Sequence, residues 1–247
     1  MLFLFHSIMI KRHILILLGL LVGLVSAWGQ TYSELKTQYP VSADGKNYVV
    51  SGFIPFNNQS DEAIFANTLL WTINNVCPEF RKGIEDLNVK SKSFHCDWVL
   101  NSSADSKQNN TYYCKVRFQV TEGKLIFYVS DILIESSVLM IKRQMPMEKL
   151  KPEKKESHKE VIDDFVQSES FTLNKLFDFV STNQVSTISH WNDIALGRAV
   201  EGMNEDECLL AFGKPRSVQE TNGEVQWMYS GSFYLFFRDG KVQTVIK

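Results

Sequence analysis

The stretch that decides the fold is CKVRFQVTEGKLIFYVSDI, residues 114–132. Apolar side chains alternate with polar ones before Glu122-Gly123, a dipeptide that suits a two-residue turn. Closing this turn sets apolar residues opposite each other in successive pairs, which are Val120 with Leu125, Phe118 with Phe127, and Val116 with Val129. This period of two predicts an antiparallel hairpin with one buried face and one solvated face.

A third strand is predicted upstream, because apolar residues alternate with polar ones from Phe94 to Leu100. Cys96 and Cys114 are equally distant from Asp105, in the middle of the polar loop Asn101 to Asn110. A hairpin centred there places the two cysteines directly opposite each other on the apolar face. The sequence therefore predicts a Cys96–Cys114 disulfide in an oxidising compartment, with two buried thiols as the open alternative.

Two helices and one more strand are predicted around this hairpin. A strand is expected over Tyr48–Phe56, followed by a helix that Ser60 caps and Pro78 stops. A second helical stripe runs from Ile162 to Val180 and is expected to cover the sheet. The segment Lys142–Glu160 carries many charges of both signs, and it is interpreted as a solvated connection leading into that helix.

The order of these elements over residues 45–182, the first unit, resembles the TBP-like domains of unknown function found in bacterial envelope proteins. The resemblance is carried by the hairpin stretch and by NYVVSGFIPFN, residues 47–57. It implies an antiparallel sheet covered by two helices, and it implies a shape without DNA binding. A sheet that grips a long helix can also leave an apolar cavity, which would be lined here by Phe94, Trp98, Phe118 and Phe127.

Residues 186–247, the second unit, carry a separate pattern of two short helices and three strands. Asn204 followed by Glu207 predicts a capping box at the start of the second helix. Gly213 and Pro215 suit the end of that helix. The predicted strands cover residues 226–229, 233–237 and 241–246, with Asp239-Gly240 as the last turn.

Two stretches of the second unit resemble the small domain of the BamE/SmpA family. They are VEGMNEDECLLAFGKP, residues 200–215, and EVQWMYSGSFYLFFRDGKV, residues 224–242, and the matching residues are Gly202, Met203, Gly213, Pro215, Trp227, Tyr229, Phe237, Asp239 and Gly240. The resemblance implies an ααβββ domain of a kind whose relatives bind proteins. A protein-contact surface is therefore expected at Trp227, Tyr229, Phe233, Tyr234 and Phe236. The whole chain is predicted to be α+β, with two folded units separable near Val185.

Residues 1–29 have the layout of a cleavable signal peptide. A basic patch precedes an apolar run from Ile14 to Val25, which is shorter than the roughly 18 to 20 residues of a membrane-spanning helix. Cleavage is expected after Ala27 or Gly29, which places the mature protein in the periplasm or outside the cell. The first cysteine is Cys77, so we expect no lipid anchor and only indirect contact with a membrane.

Composition argues against several classes of function. The chain has 26 basic and 28 acidic residues, and loss of the signal peptide removes bases only. A nucleic-acid binder, which usually has a basic domain, is therefore not expected. The histidines that follow the signal peptide lie at no metal-ligand spacing, and we find no phosphate loop, dinucleotide fingerprint or nucleophile elbow. The sequence thus predicts no catalytic residue, no metal and no cofactor.

The predicted function is that of a non-enzymatic envelope protein that binds another envelope protein or a peptide. The alternative is a binder of a small apolar ligand or lipid, held between the sheet and the helix. Co-purified lipid would favour the alternative, whereas a protein partner recovered by crosslinking would favour the first interpretation. A hydrolase with dispersed acidic residues is a third interpretation.

Overall fold

The computed structural model of the protein describes residues 47–76, 83–102, 109–138, 141–152, 154–185 and 187–247. The predicted signal peptide, residues 1–29, lies outside the described residues. Within these ranges no helix is both long and apolar enough to cross a membrane.

The first sheet has six strands: β1 (Val50–Pro55), β2 (Ile84–Asn88), β3 (Ser93–Asn101), β4 (Asn110–Thr121), β5 (Lys124–Val138) and β6 (Ile141–Pro146). The strands run in the order β1-β5-β4-β3-β2, and every pair is antiparallel. The strand β1 pairs with residues 124–129 of β5, whereas β6 pairs with residues 133–138. Both short strands therefore lie along the same edge of β5.

Two helices, α1 (Asp61–Asn75) and α2 (Glu156–Thr182), cover one face of this sheet. The Ser60 hydroxyl accepts a hydrogen bond from the backbone N–H of Ala63, and this caps α1 as predicted. Aromatic rings fill the space between sheet and helices, with Phe65 of α1 lying 6.0 Å from Phe94 of β3 between ring centroids. The alternating face predicted for β3, β4 and β5 is the face that these helices bury.

The predicted hairpin of β4 and β5 is confirmed, including all three of its apolar pairs. The predicted register between β3 and β4 is wrong by two residues, because the structure pairs Cys96 with Val116 and Trp98 with Cys114. The two cysteines are diagonal neighbours, whose spacing of roughly 7 to 8 Å exceeds what a disulfide spans without strain. The predicted Cys96–Cys114 bridge is therefore not formed, and Cys114 is a buried free thiol.

The charged segment after β5 is more structured than the sequence predicts. The strand β6 pairs with β5, and a 3-10 turn follows at Met147–Lys149. Met147 and Leu150 are buried against the core of the first unit. These two apolar residues are spaced among charges with no alternation, so the pattern of the segment resembles that of a solvated connection.

The second unit contains helices α3 (Trp191–Leu196) and α4 (Glu205–Phe212) and a four-stranded antiparallel sheet, with strands β7 (Ser217–Thr221), β8 (Glu224–Ser230), β9 (Phe233–Arg238) and β10 (Lys241–Ile246). The strand order is β10-β9-β8-β7. The predicted ααβββ arrangement is thus wrong by one strand. The missed strand β7 lies at the sheet edge with mostly exposed side chains, so it leaves no alternating pattern in the sequence.

The capping box predicted at the start of α4 is confirmed. The side chain of Asn204 accepts a hydrogen bond from the backbone N–H of Glu207, whose carboxylate accepts one from the backbone N–H of Asn204. The same carboxylate also accepts hydrogen bonds from the backbone N–H groups of Ser189 and His190. The buried Glu207 therefore fixes the path of the chain that enters α3.

The two units touch where α3 and α4 of the second lie against α1 of the first. The ring of Trp191 lies 5.3 Å from that of Phe65 between centroids, and the Trp191 indole N–H donates a hydrogen bond to Glu62 at 2.8 Å. The side-chain amide of Asn67 on α1 also donates a hydrogen bond, of 3.1 Å, to the backbone carbonyl of Asn183 in the segment that joins the two units. The core of the second unit is thus continuous with that of the first.

Candidate functional site

The face of the first sheet that α1 and α2 do not cover carries exposed large apolar side chains, and three of them cluster on β1 and the first half of β5. Phe53 is 61% exposed, Ile126 40% and Tyr128 42%. Phe53 lies opposite Ile126 across the β1–β5 pair, and Tyr128 follows two residues along β5 on the same face. We call this surface, together with Arg117 and Lys124, the open face.

The open face is hollowed into a depression of about 620 Å³. Gly52 of β1 also lines the depression and lies opposite Phe127 of β5. A Cβ atom on Gly52 would lie 2.8 Å from Cζ of Phe127, so only glycine leaves room for the ring as it stands. Phe127 belongs to the buried side of β5 and is also among the residues at the depression.

Two cations border the apolar part of the open face. Arg117 of β4 lies opposite Tyr128, and the Lys124 ammonium lies 5.7 Å from the centre of the Phe53 ring, a cation–π distance. Among the described residues, no carboxylate comes within 4.0 Å of either cation. The depression therefore combines an apolar floor with positive charge that is not neutralised locally.

A second, smaller depression of about 240 Å³ lies beside it and shares Arg117 and Tyr128. Its charges are neutralised from within, since the Lys115 ammonium lies 3.5 Å from a carboxylate oxygen of Glu85 and 3.8 Å from one of Asp97. The imidazole of His95, which also lines it, is 3.0 Å from the carboxylate of Asp86 on β2. Ion pairs thus surround the smaller depression, and Arg117 lies at its border with the larger one.

The sequence contains a signal for the open face that the pairing of buried residues in the hairpin does not use. Residues 125–129 read LIFYV, an unbroken apolar run in a strand whose alternate positions should be polar. Ile126 and Tyr128 occupy the two positions that alternation assigns to solvent. A break of this kind in a half-buried strand indicates an exposed apolar surface.

The residues predicted as a contact surface in the second unit are divided between the two faces of its sheet. Trp227 is buried beside Phe237, with 4.7 Å between ring centroids, and Tyr229 stacks on Phe233 at 5.2 Å. These three predicted residues belong to the inner face, against α4. The other two, Tyr234 and Phe236, lie on the outer face and are partly exposed.

The residues predicted to line a cavity between sheet and helix pack directly on one another. Trp98 and Phe94 lie 5.6 Å and 5.3 Å from Phe118 between ring centroids. Trp71 of α1 closes over Trp98 at 6.2 Å. The rings of Phe94, Trp98 and Phe118 are therefore core side chains in contact with protein, and Phe127 is also a residue of the depression on the open face.

Several ionisable groups are buried beneath α2. Asp164 accepts hydrogen bonds at 2.6 Å from the hydroxyls of Tyr112 and Ser102. Glu169 is only 2% exposed, and burial raises its pKa to about 8. Burial, and secondarily the charge of Glu169, raises the pKa of the Cys114 thiol, so that the thiol stays protonated and is a poor nucleophile. Across the described ranges, no three His, Cys, Asp or Glu side chains are grouped to hold a metal ion.

No protein-family model and no curated protein matches the chain. Among solved structures, a TBP-like protein from Parabacteroides distasonis ATCC 8503 is similar at 11% identity with a TM-score of 0.48, over 58% of this chain and 99% of that chain. A DUF4468 family protein from Bacteroides ovatus ATCC 8483 is similar at 14% identity with a TM-score of 0.41, over 60% of this chain and 98% of that chain.

The fold class predicted from sequence for residues 45–182 is TBP-like, which is also the term that describes the first of these structures. The architecture of this chain is a mixture of antiparallel sheets and a few helices. The BamE/SmpA resemblance of residues 186–247 stays a prediction.

Proposed function

We propose that the protein is an exported, non-enzymatic binding module that holds a peptide segment of another envelope protein on the open face. The observation that carries the proposal is the set of three exposed apolar side chains on one uncovered sheet surface, Phe53, Ile126 and Tyr128. Single exposed apolar residues are common on protein surfaces, whereas contiguous ones mark sites of interaction.

A peptide suits this surface better than a small apolar ligand does. Pockets for small molecules enclose most of the ligand surface, whereas the open face is a shallow depression on a sheet. The interior position where an apolar ligand would be sheltered is occupied by the rings of Phe94, Trp98 and Phe118. An extended segment, by contrast, can lie across several strands and place one side chain on the apolar floor.

The second unit supplies a smaller surface to the same proposal. Of its predicted contact residues, Tyr234 and Phe236 lie on the outer face of its sheet and are available for a partner. Trp227, Tyr229 and Phe233 support the fold beneath them. If the second unit makes the main contact, deletion of residues 186–247 abolishes partner capture while changes on the open face do not.

Site-specific photo-crosslinking in the native host tests the proposal. A photoreactive residue at Phe53 should give crosslinked protein adducts, because this side chain is at the centre of the proposed contact. The matched control is Phe171 of α2, which is equally prominent at 59% exposure but lies on the covering helix. Adducts of equal yield from both positions, or from Phe171 alone, would contradict the proposal.

Export is part of the proposal and has its own test. N-terminal sequencing of protein isolated from the native host should find a chain that starts at Trp28 or Gln30. An intact terminus at Met1 or Met9 would contradict export with cleavage.

A further inference from the structure

Building on the proposed function, we infer that the open face recognises an extended peptide in which a carboxylate side chain stands two residues from a large apolar one. The apolar side chain lies on Phe53 and Ile126, and the carboxylate is bound by Arg117, with Lys124 as a second cation. This specificity follows from the charges that border the depression and from their positions along the strands.

The larger depression carries positive charge. Among the residues that line it, the acidic and basic side chains are Arg117 and Lys124, and both are exposed cations. The ion pairs of the sheet lie elsewhere, since Glu85 and Asp97 engage Lys115 in the neighbouring depression. An apolar occupant without charge would leave two cations beside an apolar contact, and a cationic occupant would be repelled.

The register places the cations at two ends of the apolar floor. On β5, Lys124, Ile126 and Tyr128 follow one another at alternate positions of the same face. Lys124 is therefore one strand repeat, roughly 7 Å, from Ile126. In the other direction, Arg117 of β4 lies opposite Tyr128 and is diagonal to Ile126. In an extended peptide, a carboxylate two residues from the apolar side chain projects to the same side and can reach one of these cations.

Arg117 is the better carboxylate ligand of the two. Its planar guanidinium can form two parallel hydrogen bonds to one carboxylate, whereas an ammonium acts as a point charge. Lys124 is also engaged with the face of the Phe53 ring. We therefore assign the specificity to Arg117 and a supporting role to Lys124.

A fatty acid has the same combination of apolar chain and carboxylate, but the open face favours a peptide. Only three large apolar side chains are exposed there, which would leave most of a long acyl chain in water. Binding of oleate is therefore made an outcome of the test.

The test compares two peptides that are acetylated and amidated, so that their termini carry no charge. Both have a background of Ser and Thr with one central motif, Phe-Ser-Glu in the Phe-Glu peptide and Phe-Ser-Gln in the Phe-Gln peptide. Backbone NMR shifts of the labelled mature chain, recorded during titration at low salt, give the affinity and the surface contacted. We expect shifts on β1 and β5, and about tenfold tighter binding of the Phe-Glu peptide, which corresponds to about 1.4 kcal/mol.

Variants separate the two claims. Arg117→Gln should remove the preference for the Phe-Glu peptide and leave the affinity for the Phe-Gln peptide unchanged. Arg117 is exposed, so we expect the variant to fold as the wild type does. Lys115→Gln is the matched control on the same strand, and it should keep the preference, because Lys115 is already paired with Glu85 and Asp97. Phe53→Ser should weaken both peptides.

Each result decides between the claims. Equal binding of the two peptides at the open face, or a preference that survives Arg117→Gln, overturns the carboxylate inference and leaves the proposed function standing. Absence of shifts on the open face with either peptide at millimolar concentration overturns both. Oleate that binds there in an Arg117-dependent manner, without peptide binding, identifies an anionic lipid and also overturns both.

Discussion

At the scale of single residues, the most unusual group is the carboxyl of Glu169 on α2. It is buried, and one of its oxygens has no hydrogen-bond partner among the described residues. Burial raises its pKa to about 8 from an ordinary value of 4.5. The folded protein therefore keeps a proton on Glu169 over a pH range in which the unfolded chain has lost it.

This difference predicts a stability that falls as the pH rises. The contribution of the protonated Glu169 is fully present below pH 4.5 and is lost progressively up to about pH 8. At about 1.4 kcal/mol per unit of pKa difference, the free energy of unfolding should drop by up to about 5 kcal/mol across this window. The variant Glu169→Gln cannot ionise, so urea unfolding at pH 5 and pH 8 should show a much flatter dependence than in the wild type.

The matched control for this prediction is Asp178→Asn, which changes an exposed carboxylate on the same helix. It should keep the pH dependence of the wild type. If Glu169→Gln and Asp178→Asn have the same slope, Glu169 is ionised in the folded protein.

At the scale of elements, β1 supplies the buried Val50 to the core and the exposed Phe53 to the open face. Gly52 lies between them, at a position where a larger residue would meet the Phe127 ring. Gly52→Ala would place a Cβ atom 2.8 Å from the Phe127 ring, which is held in the core on its other side. Because the ring must shift, we expect a loss of about 1 to 2 kcal/mol in the free energy of unfolding, measured with urea. Gly231→Ala is the control, since nothing lies within 4 Å of the added methyl group. Equal stability of the two variants would show that the Phe127 ring moves without cost.

The elements that sequence could predict are those with one buried face. The strands β3, β4 and β5 alternate clearly, and Glu122-Gly123 fixes the register of the second hairpin. The edge strands β2 and β7 have too few buried side chains for a pattern, and β6 lies in a charged segment, so these three strands are not predicted from sequence. The register of β3 and β4 was predicted wrongly because the polar loop between them holds no turn dipeptide to fix its centre.

The candidate site was predictable only in part, for a related reason. Sequence patterns report which side chains are apolar, and they place Trp227 and Tyr229 among aromatic residues without showing that α4 covers them. Conversely, Ile126 and Tyr128 belong to an unbroken apolar run, and they are exposed because the covering helices lie on the opposite face. Exposure of an apolar residue depends on distant elements, and a local pattern does not contain that information.

At the scale of the whole molecule, the contact between the units raises the question of whether they unfold together. The boundary near Val185 stays a prediction from sequence, while Trp191 of the second unit packs on Phe65 of the first and donates a hydrogen bond to Glu62. An aromatic side chain that bridges two cores couples their stabilities, because either unit loses this contact when the other unfolds.

We therefore predict a single calorimetric transition for the wild type and two transitions for Trp191→Ala. Removal of the indole deletes both the ring contact with Phe65 and the hydrogen bond to Glu62, so each unit should then melt at its own temperature. The control is Leu196→Ala on the same helix, a side chain 64% exposed, which should keep the single transition. The ratio of calorimetric to van't Hoff enthalpy measures the coupling. Two transitions already in the wild type would show that the boundary near Val185 is energetic as well as structural, and that the Trp191 contact is too weak to join the units.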